Sequence, residues 1–204
     1  MNINQPSEFL RKLYYSFTWR IENNNKELFL TFDDGPTPII TEWVLNQLDA
    51  YNAKATFFCI GRNVDRHPEI YEKIKEKGHA IGNHTYSHLK GWMVSTKEYI
   101  DDIELASHHI NTKLFRPPYG KIKPSQIKNL KRKGYKLFMW DVLSEDYNSK
   151  ISTDKCLQNI TDYTREGSII VFHDSLKASR NLKKVLPEIL KKYTEEGFIF
   201  QKLK

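Results

Sequence analysis

The sequence is poor in cysteine and has no long apolar run. It contains 204 residues and only two cysteines, Cys59 and Cys156. They form no CxxC pattern, so neither a disulfide scaffold nor a thiolate zinc site is indicated. Cys59 lies in the apolar run 55–60, and we expect it to be a small buried hydrophobe. No apolar run approaches the ~18 residues of a membrane-spanning helix, so we expect no transmembrane segment.

Linker composition and a secretory leader are also lacking. No Pro- or Ser-rich stretch divides the chain, so we predict one domain over 27–204, preceded by an N-terminal helical extension over 1–26 that packs on it. The first residues show no basic start followed by an apolar core, which predicts a cytoplasmic protein. Residues 9–17 are aromatic, basic and amphipathic. That segment could lie on a membrane surface, but we favour packing on the domain.

Basic residues outnumber acidic residues, and the two kinds are interleaved along the chain. There are 32 Lys and Arg against 25 Asp and Glu, a formal net charge of +7. A basic protein can bind nucleic acid or an anionic envelope surface. Acidic residues are interleaved with the lysines in segments such as 73–77, which is typical of a solvated helix face. We therefore expect no nucleic-acid partner; a nucleic-acid binder would show affinity that falls steeply with salt.

Apolar runs alternate with helical segments along the chain. Four helical runs end at a glycine, the usual left-handed cap residue, and an apolar run follows each. Such alternation predicts an α/β protein with a mainly parallel sheet and helices outside. We expect about seven strands, at 27–32, 55–59, 79–81, 114–115, 135–140, 168–172 and 198–200. We expect helices near 39–51, 67–77, 96–112, 124–133, 154–165 and 178–196.

One stretch, residues 28–36, stands out. Leu28 to Phe32 is apolar without alternation, which predicts a strand buried on both faces. Asp33 and Asp34 follow directly, and Gly-Pro ends the strand. Two such close carboxylates resist joint ionisation unless a metal ion or an arginine compensates them. The alternative is a solvated Asp-Gly surface turn.

Polar side chains follow four further strands. In parallel α/β folds, ligands bind at the C-terminal ends of the strands, so these residues are expected to share one rim with the aspartates. They are residues 82–88, which include His84 and His88, residues 116–120, residues 141–147, and the pair His173 and Asp174.

A metal site is the chemistry that this rim favours. His84 and His88 are spaced i, i+4, which on a helical turn puts both imidazoles on one face. The alternative is two unrelated surface histidines. One of the two aspartates would complete a His₂-carboxylate set for zinc, or for cobalt or another divalent ion.

Acid–base groups are present at the same rim. The other aspartate of the pair is available as a general base, and the residues alone leave open which one. His173 is the natural acid. Arg116 precedes two prolines that stiffen its loop, so it can pair with the base carboxylate and keep it ionised.

Together these residues resemble the polysaccharide deacetylase family, carbohydrate esterase family 4 with its NodB-homology domain, which includes chitin and peptidoglycan N-deacetylases. The resemblance runs from about Leu28 to the C-terminus. Residues 31–35, 84–88, 116–120 and 171–173 are similar to the first, second, third and fifth motifs of that family.

The resemblance implies an irregular (β/α)7 barrel and a role for each motif residue. Asp33 would be the base, Arg116 would orient it, and His173 would be the acid. Asp34, His84 and His88 would bind the metal. The Tyr119 backbone N–H would help to hold the oxyanion, and Val171 would contact the acetyl methyl group. The residues that we expect to contact substrate are Pro117, Tyr119, Trp140, Tyr147 and Val171.

The fourth motif departs from the family pattern. The family usually has Asp, two residues, then Asp-Trp; here Leu143 replaces the first Asp and Tyr147 the Trp. In the resemblance as we interpret it, the first Asp pairs with the acid histidine. We therefore expect Asp141 or Asp174 to be the partner of His173.

The function expected from this resemblance is metal-dependent removal of acetyl groups from N-acetylated sugars. Because no export signal is visible, a cytoplasmic sugar intermediate or glycan precursor is one expected substrate, and we expect a monomer. The alternatives are a non-catalytic glycan-binding protein on the same fold and a hydrolase of an O-acetyl ester or a small cyclic amide.

Overall fold

The computed structural model describes residues 6–22 and 25–204 of the chain. Residues 1–5, where the lack of a secretory leader was noted, lie outside the described residues. Within the described part, no helix combines the length and apolarity needed to cross a bilayer.

The described residues contain eight strands, and every strand pair is parallel. Seven lie side by side in the order β5-β4-β3-β2-β1-β7-β6, and β8 pairs with the beginning of β1. This confirms the α/β class and the expected barrel of about seven mainly parallel strands. The strands are β1 Glu27–Asp33, β2 Ala55–Cys59, β3 Ala80–Asn83, β4 Leu114–Phe115, β5 Lys136–Leu137, β6 Val142–Leu143, β7 Ile169–His173 and β8 Ile199–Phe200.

Helices connect the strands, as the alternation predicts. All six predicted helices are present with ends that differ by at most five residues, whereas the short helix α3 after β2 was not predicted. The helices within the described residues are α1 Glu8–Leu13, α2 Ile40–Ala50, α3 Gly61–Arg66, α4 Pro68–Glu76, α5 Thr96–Ser107, α6 Pro124–Arg132, α7 Thr153–Thr161 and α8 Ser179–Glu195, with 3₁₀ turns at Gly91–Met93 and Pro118–Gly120.

Strand β1 is the centre of the molecule, and both of its faces are buried. Leu28, Leu30 and Phe32 pack in the larger core cluster, which includes residues of the outer helices. Phe29 lies on the opposite face in a separate cluster with Phe58. Since side chains alternate along a strand, the remaining odd-numbered residues of β1 also point into the barrel. The prediction of a strand buried on both faces is confirmed.

The predicted glycine caps are confirmed, whereas one predicted strand is much shorter than expected. Gly78, Gly134, Gly167 and Gly197 all have positive φ, from 77° to 81°, as expected for left-handed caps. The predicted strand 135–140, however, shrinks to two residues and is followed by β6, which was not predicted. A two-residue strand is too short to show the periodicity on which such predictions depend.

The segment before β1 contacts the rest of the chain. Phe17 and Trp19 are buried in a cluster with aromatic residues of α5, β4 and the β5 region. Arg11 pairs with the buried Asp141 carboxylate. The division of the chain into 1–26 and 27–204 stays a prediction.

Candidate active site

Arg116 forms a buried ion pair with Asp33 at the end of β1. Its guanidinium donates to Asp33 Oδ1 at 2.7 Å, to Thr31 Oγ1 at 2.7 Å and to the Met139 carbonyl at 2.8 Å. It also lies 4.2 Å from the centroid of the Phe58 ring. These contacts hold a fully buried arginine in one orientation inside the barrel.

The charge of Asp33 follows from this pairing. Burial by itself would raise the pKa of Asp33, because a carboxylate loses hydration. Arg116 opposes that effect most strongly, and His84 and His173 add to it, so the pKa of Asp33 lies below its ordinary value. Asp33 is therefore an ionised carboxylate at neutral pH and available to accept a proton.

Three donor groups converge beside Asp33. Asp34 Oδ1 lies 3.3 Å from His88 Nε2 and 3.9 Å from His84 Nε2, and the three donor atoms are all within 4.8 Å of one another. Tetrahedral zinc with ligands at roughly 2.0–2.1 Å requires donors about 3.3 Å apart. The donor set and its spacing therefore fit a divalent cation.

The ring contacts of the two histidines suit this arrangement. His84 Nδ1 lies 2.8 Å from the Arg116 carbonyl, which can only accept, so Nδ1 carries the proton and Nε2 presents its lone pair. His88 Nδ1 lies 3.1 Å from the Tyr119 hydroxyl. Burial lowers the pKa of both imidazoles, and His84 adds to the effect on His88, whose pKa falls to about 4. Neutral imidazole is the form that binds metal.

Residues 84–88 do not form the helical turn with which the His84–His88 spacing is compatible. The segment is a bend after β3, with Thr85 at φ 65° and His88 at φ 58°. Asp102 on α5 accepts two backbone N–H groups of this bend, at 2.9 and 3.0 Å. The imidazoles are brought together by this anchored loop rather than by helical periodicity.

The turn that carries Asp34 is held by Asp174. Asp174 Oδ1 accepts the Gly35 N–H at 3.0 Å and Oδ2 accepts the Thr41 hydroxyl at 2.5 Å. A Cβ at Gly35 would lie 2.0 Å from Asp174 Oδ2, so only glycine fits. Burial raises the pKa of Asp174 to about 8, although the Thr41 hydrogen bond acts in the opposite direction.

The partner of His173 is Asp146, so the expectation of Asp141 or Asp174 was wrong. His173 Nδ1 lies 2.8 Å from Asp146 Oδ1, and its backbone N–H donates to Asp146 Oδ2 at 2.8 Å. Burial lowers the pKa of His173, but the charge and hydrogen bond of Asp146, together with the charges of Asp34 and Asp33, outweigh it and raise the pKa to about 9. His173 is therefore protonated at neutral pH.

The two aspartates that were expected to pair with His173 have other partners. Asp141 accepts a hydrogen bond from the Ser168 hydroxyl at 2.6 Å and pairs with Arg11. Ser168 directly precedes β7, so these contacts lie at the opposite end of that strand from His173. Asp174 holds the Gly35 turn. Leu143 is buried in β6, in register with Val171, and an apolar side chain there offers no partner for the His173 imidazole. The signal for Asp146 was present in the sequence, because it occupies the second Asp position of the fourth motif.

Two of the predicted substrate-contacting residues lie directly at the histidines. The Tyr119 ring centroid is 4.7 Å from that of His88, and Tyr119 is 60% exposed. The half-buried Tyr147 ring lies 4.8 Å from His173. Both rings therefore border the space between the metal donors and the acid histidine.

The other three are more enclosed. Val171 is buried on β7, and Pro117 is buried directly after Arg116. The half-buried Trp140 contacts the Trp19 ring edge-on at 6.5 Å between centroids. Whether any of the five touches substrate stays a prediction.

Comparison with known proteins gives consistent similarities. A model of the family described as polysaccharide deacetylase matches residues 20–138. A peptidoglycan-N-acetylglucosamine deacetylase of Bacillus cereus is 33% identical over 190 residues, covering 90% of this chain and 89% of the relative. Another of the same name and species is 34% identical over 195 residues, covering 90% and 70%.

Solved structures show the same likeness. The crystal structure of the Bc1960 peptidoglycan N-acetylglucosamine deacetylase, in complex with a naphthyl-substituted N-oxidanyl-benzamide, superposes with a TM-score of 0.89 at 31% identity. The match covers 97% of this chain and 95% of that one.

Proposed function

This chain belongs to the polysaccharide deacetylase family and is a hydrolase of the N-deacetylase type, and we propose that it removes acetyl groups from N-acetylated sugars of a peptidoglycan-type glycan. The observation that carries this proposal is the meeting of three kinds of group at one end of the sheet. These are an ionised carboxylate, a triad of metal donors and a protonated imidazole.

Asp34, His84 and His88 would hold the cation that this chemistry requires. Two imidazoles and one carboxylate suit zinc best, and cobalt also accepts these donors. When bound, such a cation makes a water molecule more acidic and polarises the acetamide carbonyl. The roles of the remaining residues follow from their charges.

Asp33 acts as the general base and takes the proton of the attacking water. The 2.7 Å contact with Arg116 keeps its carboxylate ionised and fixes its orientation. Because Asp33 has this partner, it can lie next to Asp34 without the two charges destabilising each other.

His173 acts as the general acid. An amide nitrogen leaves only when it receives a proton, and His173 holds one at neutral pH. Asp146 keeps the proton on this ring and orients it through two hydrogen bonds. We also assign the Tyr119 backbone N–H to the developing oxyanion and Val171 to the acetyl methyl group, as the family resemblance implies.

The test is acetate release from N-acetylated oligosaccharides by the chelator-treated protein, with and without added zinc. We expect turnover only with metal. His84→Ala and His88→Ala should lose both zinc binding and turnover, whereas His108→Ala, an exposed histidine at the end of α5, should keep both.

Two outcomes would contradict the proposal. Glycan binding that is insensitive to chelator, with no acetate released, would favour a non-catalytic glycan-binding protein. Acetate release from O-acetyl esters alone would indicate an esterase.

A monomeric, cytoplasmic protein stays a prediction from the sequence. Size-exclusion chromatography with light scattering and cell fractionation test it directly. A cytoplasmic location would require a glycan precursor as substrate.

A further inference from the structure

Two tyrosine rings border the candidate site, and each has a lysine ammonium over its face. Lys90 Nζ lies 6.0 Å from the centroid of Tyr119, the ring that contacts His88. Lys177 Nζ lies 5.3 Å from the centroid of Tyr147, the ring that contacts His173. One cation therefore accompanies the metal-donor histidine His88 and the other the acid histidine His173.

A third aromatic residue carries a lysine in the same way. Trp92 is 48% exposed, and its indole N–H donates to the Ile122 carbonyl at 3.0 Å, which fixes the ring. Lys121 Nζ lies 4.4 Å from its centroid. Because Lys121 is two residues from Tyr119, this pair extends the aromatic surface on the Tyr119 side of the site.

These three lysines have no acidic partners in the described part of the chain. No carboxylate oxygen there lies within 4.0 Å of their ammonium groups, unlike Lys73 or Lys97, which pair with glutamate or aspartate at 2.5 Å. On the Tyr147 side, Glu145 of the same loop accepts from the Asn148 amide at 3.3 Å, and Asp146 pairs with His173. Three uncompensated cations around one site attract anions.

We propose that Lys90, Lys121 and Lys177 bind carboxylate groups of the glycan, so that the protein prefers an N-acetylated glycan whose neighbouring sugars carry carboxylates over a neutral one. This inference rests on the proposed function and names its substrate class. The aromatic rings suit the apolar faces of sugars, and the ammonium groups suit an anionic substituent at the edge of each sugar. Lysine, a point charge on a flexible stem, tolerates small differences in where that substituent lies.

The experiment compares two oligomers of alternating N-acetylhexosamines, one with a 3-O-lactyl carboxylate on every second sugar and the other with those carboxyls reduced to alcohols. Acetate release by the zinc-loaded protein gives kcat and KM. We expect the wild-type protein to favour the carboxylated oligomer about tenfold in kcat/KM, through KM, and the preference to shrink as salt is raised.

The triple variant Lys90→Gln, Lys121→Gln, Lys177→Gln should lose this preference while its kinetics on the reduced oligomer stay within twofold of wild type. The matched control is Lys113→Gln, since Lys113 also lies over a tyrosine ring, 4.8 Å from Tyr135, but at the beginning of β4, the other end of the sheet. That variant should keep the preference.

Equal kcat/KM on both oligomers, or an equal loss on both in the triple variant, would overturn the inference and leave the proposed function standing. Binding measured by calorimetry identifies the opposite case, in which the lysines bind the carboxylated oligomer but the protein releases no acetate. Salt-sensitive preference for the carboxylated oligomer without acetate release would support the lysine sites and contradict the proposed function. Absence of both binding and turnover would overturn both proposals.

Discussion

Two histidines of the same site, His88 and His173, carry opposite charge states. Burial lowers the pKa of both imidazoles, yet His88 falls to about 4 and His173 rises to about 9. The difference lies in the carboxylate beside each ring. Asp146 is fully buried and accepts two hydrogen bonds from His173, whereas the side chain of Asp34 is 25% exposed and lies 3.3 Å from His88. The buried Asp146 carboxylate keeps His173 protonated, so this histidine can act as an acid. His88 lacks such a partner and is neutral, the form that binds metal.

Asp33 and Asp174 also differ in charge state, although for a carboxylate burial raises the pKa instead of lowering it. Asp33 and Asp174 are both buried and lie at the ends of the adjacent strands β1 and β7. Arg116 holds the pKa of Asp33 below its ordinary value. Asp174 accepts from the neutral Gly35 N–H and Thr41 hydroxyl instead, and burial raises its pKa to about 8. In this site the partner, rather than the depth of burial, decides which groups are charged.

The largest expected effect separates the two neighbouring aspartates. Asp33→Asn removes the base but no metal donor, so we expect turnover to fall by roughly 10²–10⁴ with zinc still bound. Asp34→Asn should lose zinc as well. Acetate release and zinc content of the purified variants test this; retained turnover in Asp33→Asn would contradict the role of base.

A smaller effect is expected when the partner of His173 is removed. With a pKa of about 9, His173 keeps its proton below that pH, and activity should decline as the pH rises through about 9. In Asp146→Asn the charge and hydrogen bond that raise this pKa most are lost, and only the weaker effects of Asp34 and Asp33 oppose burial, so the decline should move to lower pH. We expect turnover at pH 8 to drop by roughly 10–100-fold, measured as a pH profile of kcat/KM.

Asp141→Asn is the matched control for that shift. Asp141 is also fully buried but pairs with Ser168 and Arg11, so its replacement should cost about 1–3 kcal/mol of unfolding free energy and leave the pH profile unchanged. A profile that moves in Asp141→Asn, or stays fixed in Asp146→Asn, would contradict the pairing.

The smallest effect concerns the orientation of His88. Tyr119→Phe removes the hydroxyl 3.1 Å from His88 Nδ1, and we expect zinc affinity to fall about tenfold, because such contacts orient ligands. Competition with a chromophoric chelator measures it. Tyr86→Phe is the control, as its hydroxyl lies on the same bend but faces Asp65 at 3.4 Å. Equal affinities in both variants would show that this hydroxyl does not act on the ligand.

The features that were predictable are those with local causes. Strand β1 could be predicted because a strand buried on both faces must be apolar throughout, and the helix ends because left-handed caps favour glycine. The meeting of Asp33, His84, Arg116 and His173 then follows from the rule that parallel strands end at one rim.

The errors have non-local causes. The pairing of His173 depends on where β6 ends, since Leu143 lies within that strand and Asp146 lies beyond it, and a two-residue strand leaves no periodic signal. Likewise, the spacing of His84 and His88 is equally compatible with a helix. Only the anchoring of their bend by Asp102, 14 residues after His88, excludes that interpretation.

The contact between Gly35 and Asp174 has a consequence for anyone who redesigns this protein. The carboxylate occupies the space that any side chain at position 35 would need. The residue types tolerated at positions 35 and 174 therefore depend on each other, although the two positions are far apart in the sequence. A bulkier residue at 35 requires a shorter one at 174, which would also release Thr41, so libraries should vary all three together.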